Sequence, residues 1–269
     1  MDSIKHAVEL ARAAEAATTP GTLPNAARQD FRSEMQDSKL REVRLNPDHL
    51  EKSRLVGHKS KDDGRYYDML RTEVLQEMDK KSWQFLSITS PTAACGKSLT
   101  ACNLALSIAR LPERSVLLVD LDLRKPMVAN YLGLQDGPGI LDVLEGRATL
   151  SAATLRASIG PSSIFVLPGS TPSSNSSEWM ASQSMGTLLH AIKREFRSCI
   201  VIFDLPPILL GDDVISILPR MEATLLVAGV GNTSLADMRE SQKHLQRTSV
   251  VRVVVNKVTE APPAYYGYY

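Results

Sequence analysis

The chain has 269 residues, a hydrophobic fraction of 43% and a formal net charge of +1. It is long enough for one large α/β domain with an extension, and its balanced charge points to no nucleic acid and no anionic membrane as a partner. Three cysteines (Cys95, Cys102, Cys199) are too few and odd in number for a disulfide framework and read as free thiols of a reducing cytosol, no Cys/His spacing fits zinc, and no apolar run approaches the roughly 20 residues that cross a bilayer.

Residues 1–63 form a polar N-terminal extension. Within it Ile4, Ala7, Val8, Ala11 and Ala14 share one face of a short helix that Ser3 caps. The stretch 18–25 (TTPGTLPN) reads as a linker, and residues 28–63 as a loosely ordered, charged segment with short elements near Val43 and Leu55. A domain follows over 64–260. Tyr66, Leu70, Val74 and Met78 recur every four residues and predict a helix packed on a sheet. Six strand-like runs come next: Gln84–Thr89, Ser115–Asp120, Ile164–Pro168, Cys199–Asp204, Ala223–Ala228 and Val250–Val255. Helix-compatible segments such as Met185–Phe196 and Ser234–Arg247 separate most of them. Strands that are apolar throughout are buried on both faces, so the fold class is α/β, a mostly parallel sheet with helices on both sides.

Ser90-Pro-Thr-Ala-Ala-Cys-Gly-Lys-Ser-Leu-Thr100 joins the first of these strands to a helix rich in Ala and Leu. A strand, a turn of small residues, Gly-Lys-Ser and a helix make the context of a phosphate-binding loop. The first N–H groups of a helix have no intrahelical partner and can donate to phosphate oxygens. Ala94, Cys95, Gly96, Lys97, Ser98 and Leu99 are therefore the candidate nucleotide-binding run. Lys97 would face the phosphates, and Ser98 would offer its hydroxyl to Mg²⁺. Pro91 stands where the usual pattern has its first glycine, and positions 93 and 94 are alanine. If either needs a positive φ, alanine costs roughly 1–2 kcal/mol there.

Two further buried strands end in acids, one in Asp120 and Asp122, the other in Asp204. In an open parallel sheet the ligand crevice lies beyond these strand ends. Carboxylates there can hold a metal and its waters, and one can take a proton from an attacking hydroxyl. A single strand-end Asp is commonly just a turn or capping residue. Three of them beside Gly-Lys-Ser point to a nucleotide–Mg²⁺ site.

The run VLLVDLDLRKP (116–126) resembles the second Walker motif of bacterial tyrosine kinases, autokinases of capsule and exopolysaccharide synthesis whose fold is that of the Min- and Par-type ATPases. FDLPP (203–207), GILDVLEG (139–146), LPGSTPSSNSSEWMAS (167–182), VVVNKV (253–258) and the tyrosine-rich end of the chain extend the likeness. The resemblance implies ATP and Mg²⁺ as cofactors. Catalysis would fall to Lys97, Asp120 and Asp122, with Asp120 as base, and the metal to Ser98, Asp122 and Asp204. Asn256 would contact the adenine. In the tail, 261–269, Tyr265, Tyr266, Tyr268 and Tyr269 would accept phosphate, usually from a neighbouring subunit. A membrane-embedded co-polymerase or activator would be the partner, with self-association possible, at the inner face of the plasma membrane.

The chain departs from the family pattern at three places. Thr92-Ala-Ala-Cys95 replaces a glycine-rich run, Leu205 replaces a Thr or Ser, and Arg65-x-x-Asp68-x-x-Arg71 replaces the ring-building E-x-x-R-x-x-R. Cys95 stands beside Lys97 at a helix N-terminus, a setting that lowers a thiol's pKa. These departures leave a second reading open, an ATP-dependent switch or scaffold of the same fold that transfers no phosphate to tyrosine. A partitioning-type ATPase is disfavoured, because position 92 is Thr where that group carries a lysine.

Overall fold

The computed structural model describes residues 40–55, 61–169, 171–246 and 248–259. The helix expected over 4–14, the linker and the tyrosine tail lie outside the described residues. In chain order the strands are β1 (Arg41–Arg44), β2 (Phe85–Thr89), β3 (Ser115–Asp120), β4 (Leu155–Ile159), β5 (Ser162–Leu167), β6 (Cys199–Asp204), β7 (Ala223–Gly229) and β8 (Ser249–Asn256). The α-helices are α1 (Pro47–Lys52), α2 (Lys61–Lys81), α3 (Lys97–Ala109), α4 (Val128–Leu132), α5 (Ile140–Leu144), α6 (Leu150–Ala153), α7 (Ser176–Ala181), α8 (Gln183–Glu195), α9 (Asp213–Ile217) and α10 (Leu235–Leu245).

The strands form one sheet in the order β1-β4-β5-β3-β6-β2-β7-β8. All neighbouring pairs are parallel except β4 with β5. The six strands expected from the sequence are present and mutually parallel, and β2, β6 and β7 are buried at every residue. One sheet face carries Leu86, Ile88, Val116, Leu118 and Ile202 against Val74 and Met78 of α2 and Leu104 and Ile108 of α3. The alternate residues point to the opposite face. There Phe85 meets Phe203 edge-on at 5.0 Å, and Phe165 meets Phe196, which follows α8, at 5.7 Å.

One strand, β4, escapes the sequence reading, and β1 is the short element expected near Val43. β4 runs Leu-Arg-Ala-Ser-Ile between the edge strand β1 and β5, with only Leu155 and Ala157 buried, so it lacks the continuous apolar run that marks the central strands. β1 lies in the segment expected to be loosely ordered. The domain begins at Leu40, and the boundary expected at residue 64 falls inside it. What orders this segment is three leucines: Leu45, Leu50 and Leu55 are at most 3% exposed and join the core. Between them Asn46 caps α1, accepting from the N–H groups of Asp48 and His49, with Pro47 in the first turn.

Glu222 pins the sheet at the start of β2. Its Oε2 accepts the N–H groups of Gln84 at 2.6 Å and Phe85 at 2.8 Å, and its Oε1 meets Lys193 Nζ at 2.6 Å. Burial raises this carboxyl's pKa, but the bonds from Lys193, Phe85 and Gln84 outweigh it and hold the pKa below the usual glutamate range. Glu222→Ala leaves two backbone donors without their acceptor and is expected to cost about 1–3 kcal/mol in urea unfolding at pH 7. A lowered carboxyl pKa adds stability above the unfolded value that is lost as pH falls through the folded one. The gap between wild type and variant should therefore close on acidification below pH 4.

Candidate nucleotide-binding site

The loop between β2 and α3 is shaped by its small residues. Ser90 Oγ donates to the Thr92 carbonyl at 2.7 Å and closes the first turn. Ala94 has φ 60° and Gly96 φ 93°. Position 94 thus does take the left-handed conformation that alanine resists. Gly96 is the N-cap of α3 and provides no side-chain capping bond. The first-turn N–H groups of α3 thus lack a side-chain cap, as an anion site at a helix N-terminus requires.

Lys97 joins this loop to the acids. Its Nζ stands 2.7 Å from Asp122 Oδ2, 3.4 Å from Asp204 Oδ1 and 3.1 Å from Ser98 Oγ. Sheet register sets this meeting, because β3 and β6 are neighbours and Asp120 lies directly opposite Asp204. Asp120 and Asp204 are fully buried, and Asp122 is 4% exposed. Burial works against a charged Lys97, but Asp204 and Asp122 outweigh it and hold the ammonium protonated well above the usual lysine range. Burial raises the pKa of Asp204, against the pull of Lys97. Burial, followed by the Asp204 charge, pushes the Asp120 carboxyl up to about 8.

Asp204 Oδ2 is buried and has no hydrogen-bond partner. That orphan acceptor, the second carboxylate of Asp122 and the Ser98 hydroxyl form an oxygen-only donor set, which suits Mg²⁺. Among the described residues no group of three or more His, Cys, Asp and Glu side chains is placed to hold a metal ion. The acids here fit a cation whose remaining ligands are phosphate oxygens and water.

Asp120 also organises the chain beyond β3. Its Oδ1 accepts the N–H of Asp122 at 3.2 Å, and its Oδ2 accepts those of Met127 and Val128 at 2.9 Å each. Lys125 N donates to Asp122 Oδ1 at 3.0 Å and tightens the same loop. Two supports of this loop were missed in the sequence reading. A Cβ on Gly169 would lie 2.2 Å from Pro126 Cβ and 3.2 Å from Asp120 Oδ2, so only glycine fits after β5. Arg124 Nε donates to Asp213 Oδ2 at 3.0 Å and ties the loop to α9. The glycine of Leu167-Pro-Gly169 was visible in the sequence; the contact of residues 124 and 213 had no local signal.

The departures from the family pattern have structural explanations. Leu205 is fully buried, and its N–H donates to Ile88 O at 2.9 Å. Asp68 and Arg71 act within the chain: Asp68 Oδ1 accepts Ser107 Oγ at 2.6 Å and Arg71 Nη1 at 3.2 Å, and also pairs with Arg110, stapling α2 to α3. Cys95 is buried, and all three cysteines are free. Burial raises its thiol pKa, but bonds with the Thr233 and Thr92 hydroxyls prevail and lower it. Those hydroxyls, not Lys97, are the main lowering influences. Asn256, the expected adenine contact, gives one Nδ2 hydrogen to Cys95 O at 3.0 Å and accepts Lys257 N on Oδ1 at 2.8 Å.

A glycine-poor but correctly shaped loop, an inward lysine and acids at adjacent strand ends define a P-loop nucleotide-binding protein. The family model described as the CobQ/CobB/MinD/ParA nucleotide binding domain matches residues 86–264, and the chain belongs to that family. Among its relatives, EpsB, a candidate tyrosine-protein kinase of Ralstonia solanacearum, is 32% identical over 200 residues, which cover 74% of this chain and 26% of EpsB. The chain thus spans about a quarter of that relative's length. The tyrosine-protein kinase CpsD of Streptococcus pneumoniae is 28% identical over 209 residues, 76% of this chain and 89% of CpsD. In fold, the kinase domain of the Escherichia coli tyrosine kinase ETK superposes with a TM-score of 0.64 at 23% identity, covering 87% of this chain and 97% of that one.

Two substitutions test the local geometry. Ala94→Gly removes the left-handed penalty but adds unfolded-state entropy, for a net gain of about 0.5–1 kcal/mol in thermal or urea unfolding. Gly169→Ala forces Pro126 away from Asp120 and is expected to cost about 1–3 kcal/mol. The shift should also be visible in the NMR amide signals of residues 122–128.

Proposed function

We propose that this chain is an ATP- and Mg²⁺-dependent protein-tyrosine kinase that phosphorylates its own tyrosine-rich end and regulates capsular or exopolysaccharide assembly. The observation that carries the reading is Lys97, buried between Asp122 and Asp204 at the head of an uncapped helix. The naming of CpsD as a tyrosine-protein kinase, over most of its length, supports the class of reaction.

In this reading the N-terminus of α3 and Lys97 bind the β- and γ-phosphates, and Ser98, Asp122 and Asp204 hold Mg²⁺, which supplies charge neutralisation at the transferring phosphoryl group. Asp120 takes the proton of the tyrosine hydroxyl. Burial and the Asp204 charge raise its affinity for a proton, as a base requires. Its Oδ1 accepts the N–H of Asp122 and keeps a lone pair for a second donor. Tyr265, Tyr266, Tyr268 and Tyr269 are the acceptors. The partner is a membrane-embedded co-polymerase or activator, which would keep the chain at the inner face of the plasma membrane. Each phosphate adds about −1.5 to −2 charges to the tail and would loosen any assembly built on it.

Incubation of the full chain with Mg²⁺-ATP, followed by mass spectrometry of the tail, tests this. Phosphate on Tyr265, Tyr266, Tyr268 or Tyr269 that is absent in Lys97→Ala is the expected result. A tail that stays unmodified while ATP is bound, with a candidate activating segment present, would overturn the kinase and leave a nucleotide-dependent switch.

A further inference from the structure

The proposed phosphate loop is gripped from outside by side chains at the ends of β7 and β8. β7 ends at Gly229 and β8 at Asn256, and the residues just beyond them reach residues 92–96. Thr92 Oγ1 donates to the Asn232 carbonyl at 2.9 Å. Cys95 Sγ lies 3.3 Å from Thr233 Oγ1, which in turn accepts the N–H of Gly229 at 3.1 Å. Asn256 Nδ2 donates to the Cys95 carbonyl at 3.0 Å. Lys257, at φ 62°, donates through Nζ to Asn232 Oδ1 at 3.1 Å and joins the two strand ends to each other.

The fit is close enough to constrain the loop sequence. A Cβ on Gly96 would lie 2.1 Å from Asn256 Nδ2, and one on Gly229 would lie 3.1 Å from Cys95 Cα. Thr92 and Cys95, the residues that replace the glycine-rich run, are the two loop residues whose side chains make these contacts. A glycine at either position offers no side chain to grip. The bond to the Cys95 carbonyl fixes the peptide that leads into Gly96 and the uncapped turn of α3.

We propose that Thr92, Thr233 and Asn256 are positioning residues of the phosphate site: a side-chain collar on the ends of β7 and β8 holds the loop in its phosphate-binding shape, in place of glycine-rich backbone geometry. In this assignment Asn256 serves the phosphates through the loop and does not read the base. The proposal rests on the reading that the loop binds a nucleoside triphosphate.

Inorganic tripolyphosphate separates the two roles of Asn256, because it has phosphates and no base. Binding of tripolyphosphate and of ATP, each with Mg²⁺, is measured by calorimetry on the full chain, for wild type, Asn256→Ala, Thr92→Val and Thr92→Ser. Loss of one positioning bond is expected to weaken both ligands by the same factor, about tenfold, in Asn256→Ala and Thr92→Val. Thr92→Ser, which keeps the hydroxyl, should return to within about threefold of wild type. A purely structural role would lower the unfolding midpoint without this matched loss; the collar predicts the matched loss in variants that remain folded at the assay temperature. If Asn256→Ala weakens ATP but leaves tripolyphosphate unchanged, Asn256 reads the base and the proposal fails. Wild-type tripolyphosphate affinity in Thr92→Val overturns it as well, and this arm stands even if Asn256→Ala does not fold. A wild-type chain that binds neither ligand overturns the phosphate reading itself, and the collar with it.

Discussion

The buried ammonium of Lys97 is the interaction on which the site depends. Three carboxylates, Asp120, Asp122 and Asp204, converge at the ends of two adjacent strands with almost no solvent contact. Burial drives Asp120 and Asp204 to take up protons, and the neighbouring carboxylates add to it. Lys97 supplies the counter-charge at 2.7 Å and 3.4 Å. Removing one partner of such a buried cluster typically costs about 3–5 kcal/mol, because the remaining charge has no compensation. The same contacts limit what Lys97 can do. In the proposed kinase, a cation that neutralised Asp122 and Asp204 would free Lys97 to turn toward phosphate oxygens, which would couple phosphate and metal binding through one side chain.

Backbone contacts hold the parts of this cluster in register. Asp120 binds three N–H groups of the following loop, so the acid at the strand end also fixes where Asp122 can point. Gly169 and Asp213 support that loop from β5 and α9. On the other side of the site, the ends of β7 and β8 hold the loop that carries Lys97. A parallel sheet brings all these strand ends to one edge, which is why residues more than 130 positions apart, such as Thr92 and Asn232, meet within 2.9 Å.

Much of this was legible in the sequence because its causes are local. The central strands are buried on both faces, so β2, β3, β6 and β7 read as unbroken apolar runs. The Gly-Lys-Ser turn and the strand-end acids carry their chemistry in residue type and spacing. What stayed hidden, including the place of the short element near Val43 in the sheet, depends on distant contacts. β1 and α1 have few apolar residues, and their order comes from Leu45, Leu50 and Leu55 reaching a core built by other elements. The reversed charge at Asp68 was read as altering any ring contact, yet its partners are Ser107 on α3 and Arg110, which caps that helix. Asn256 was placed correctly at a strand end, but its partner is a backbone carbonyl in the loop, which no sequence pattern records.

The altered loop is best understood through these distant contacts. Measured against a glycine-rich pattern, Thr92-Ala-Ala-Cys95 looks like loss, and Ala94 does carry a penalty at φ 60°. That penalty of about 1–2 kcal/mol is comparable to one or two net hydrogen bonds. The bonds from Thr92 to Asn232, from Asn256 to Cys95 and between Cys95 and Thr233 are of the number needed to offset it. A glycine loop gains its shape from backbone freedom and loses conformational entropy on folding. A threonine and cysteine loop starts with less freedom and is held by its neighbours. The helix end is left uncapped here without a glycine-rich run, so divergence from the usual motif at these positions is no argument against phosphate binding.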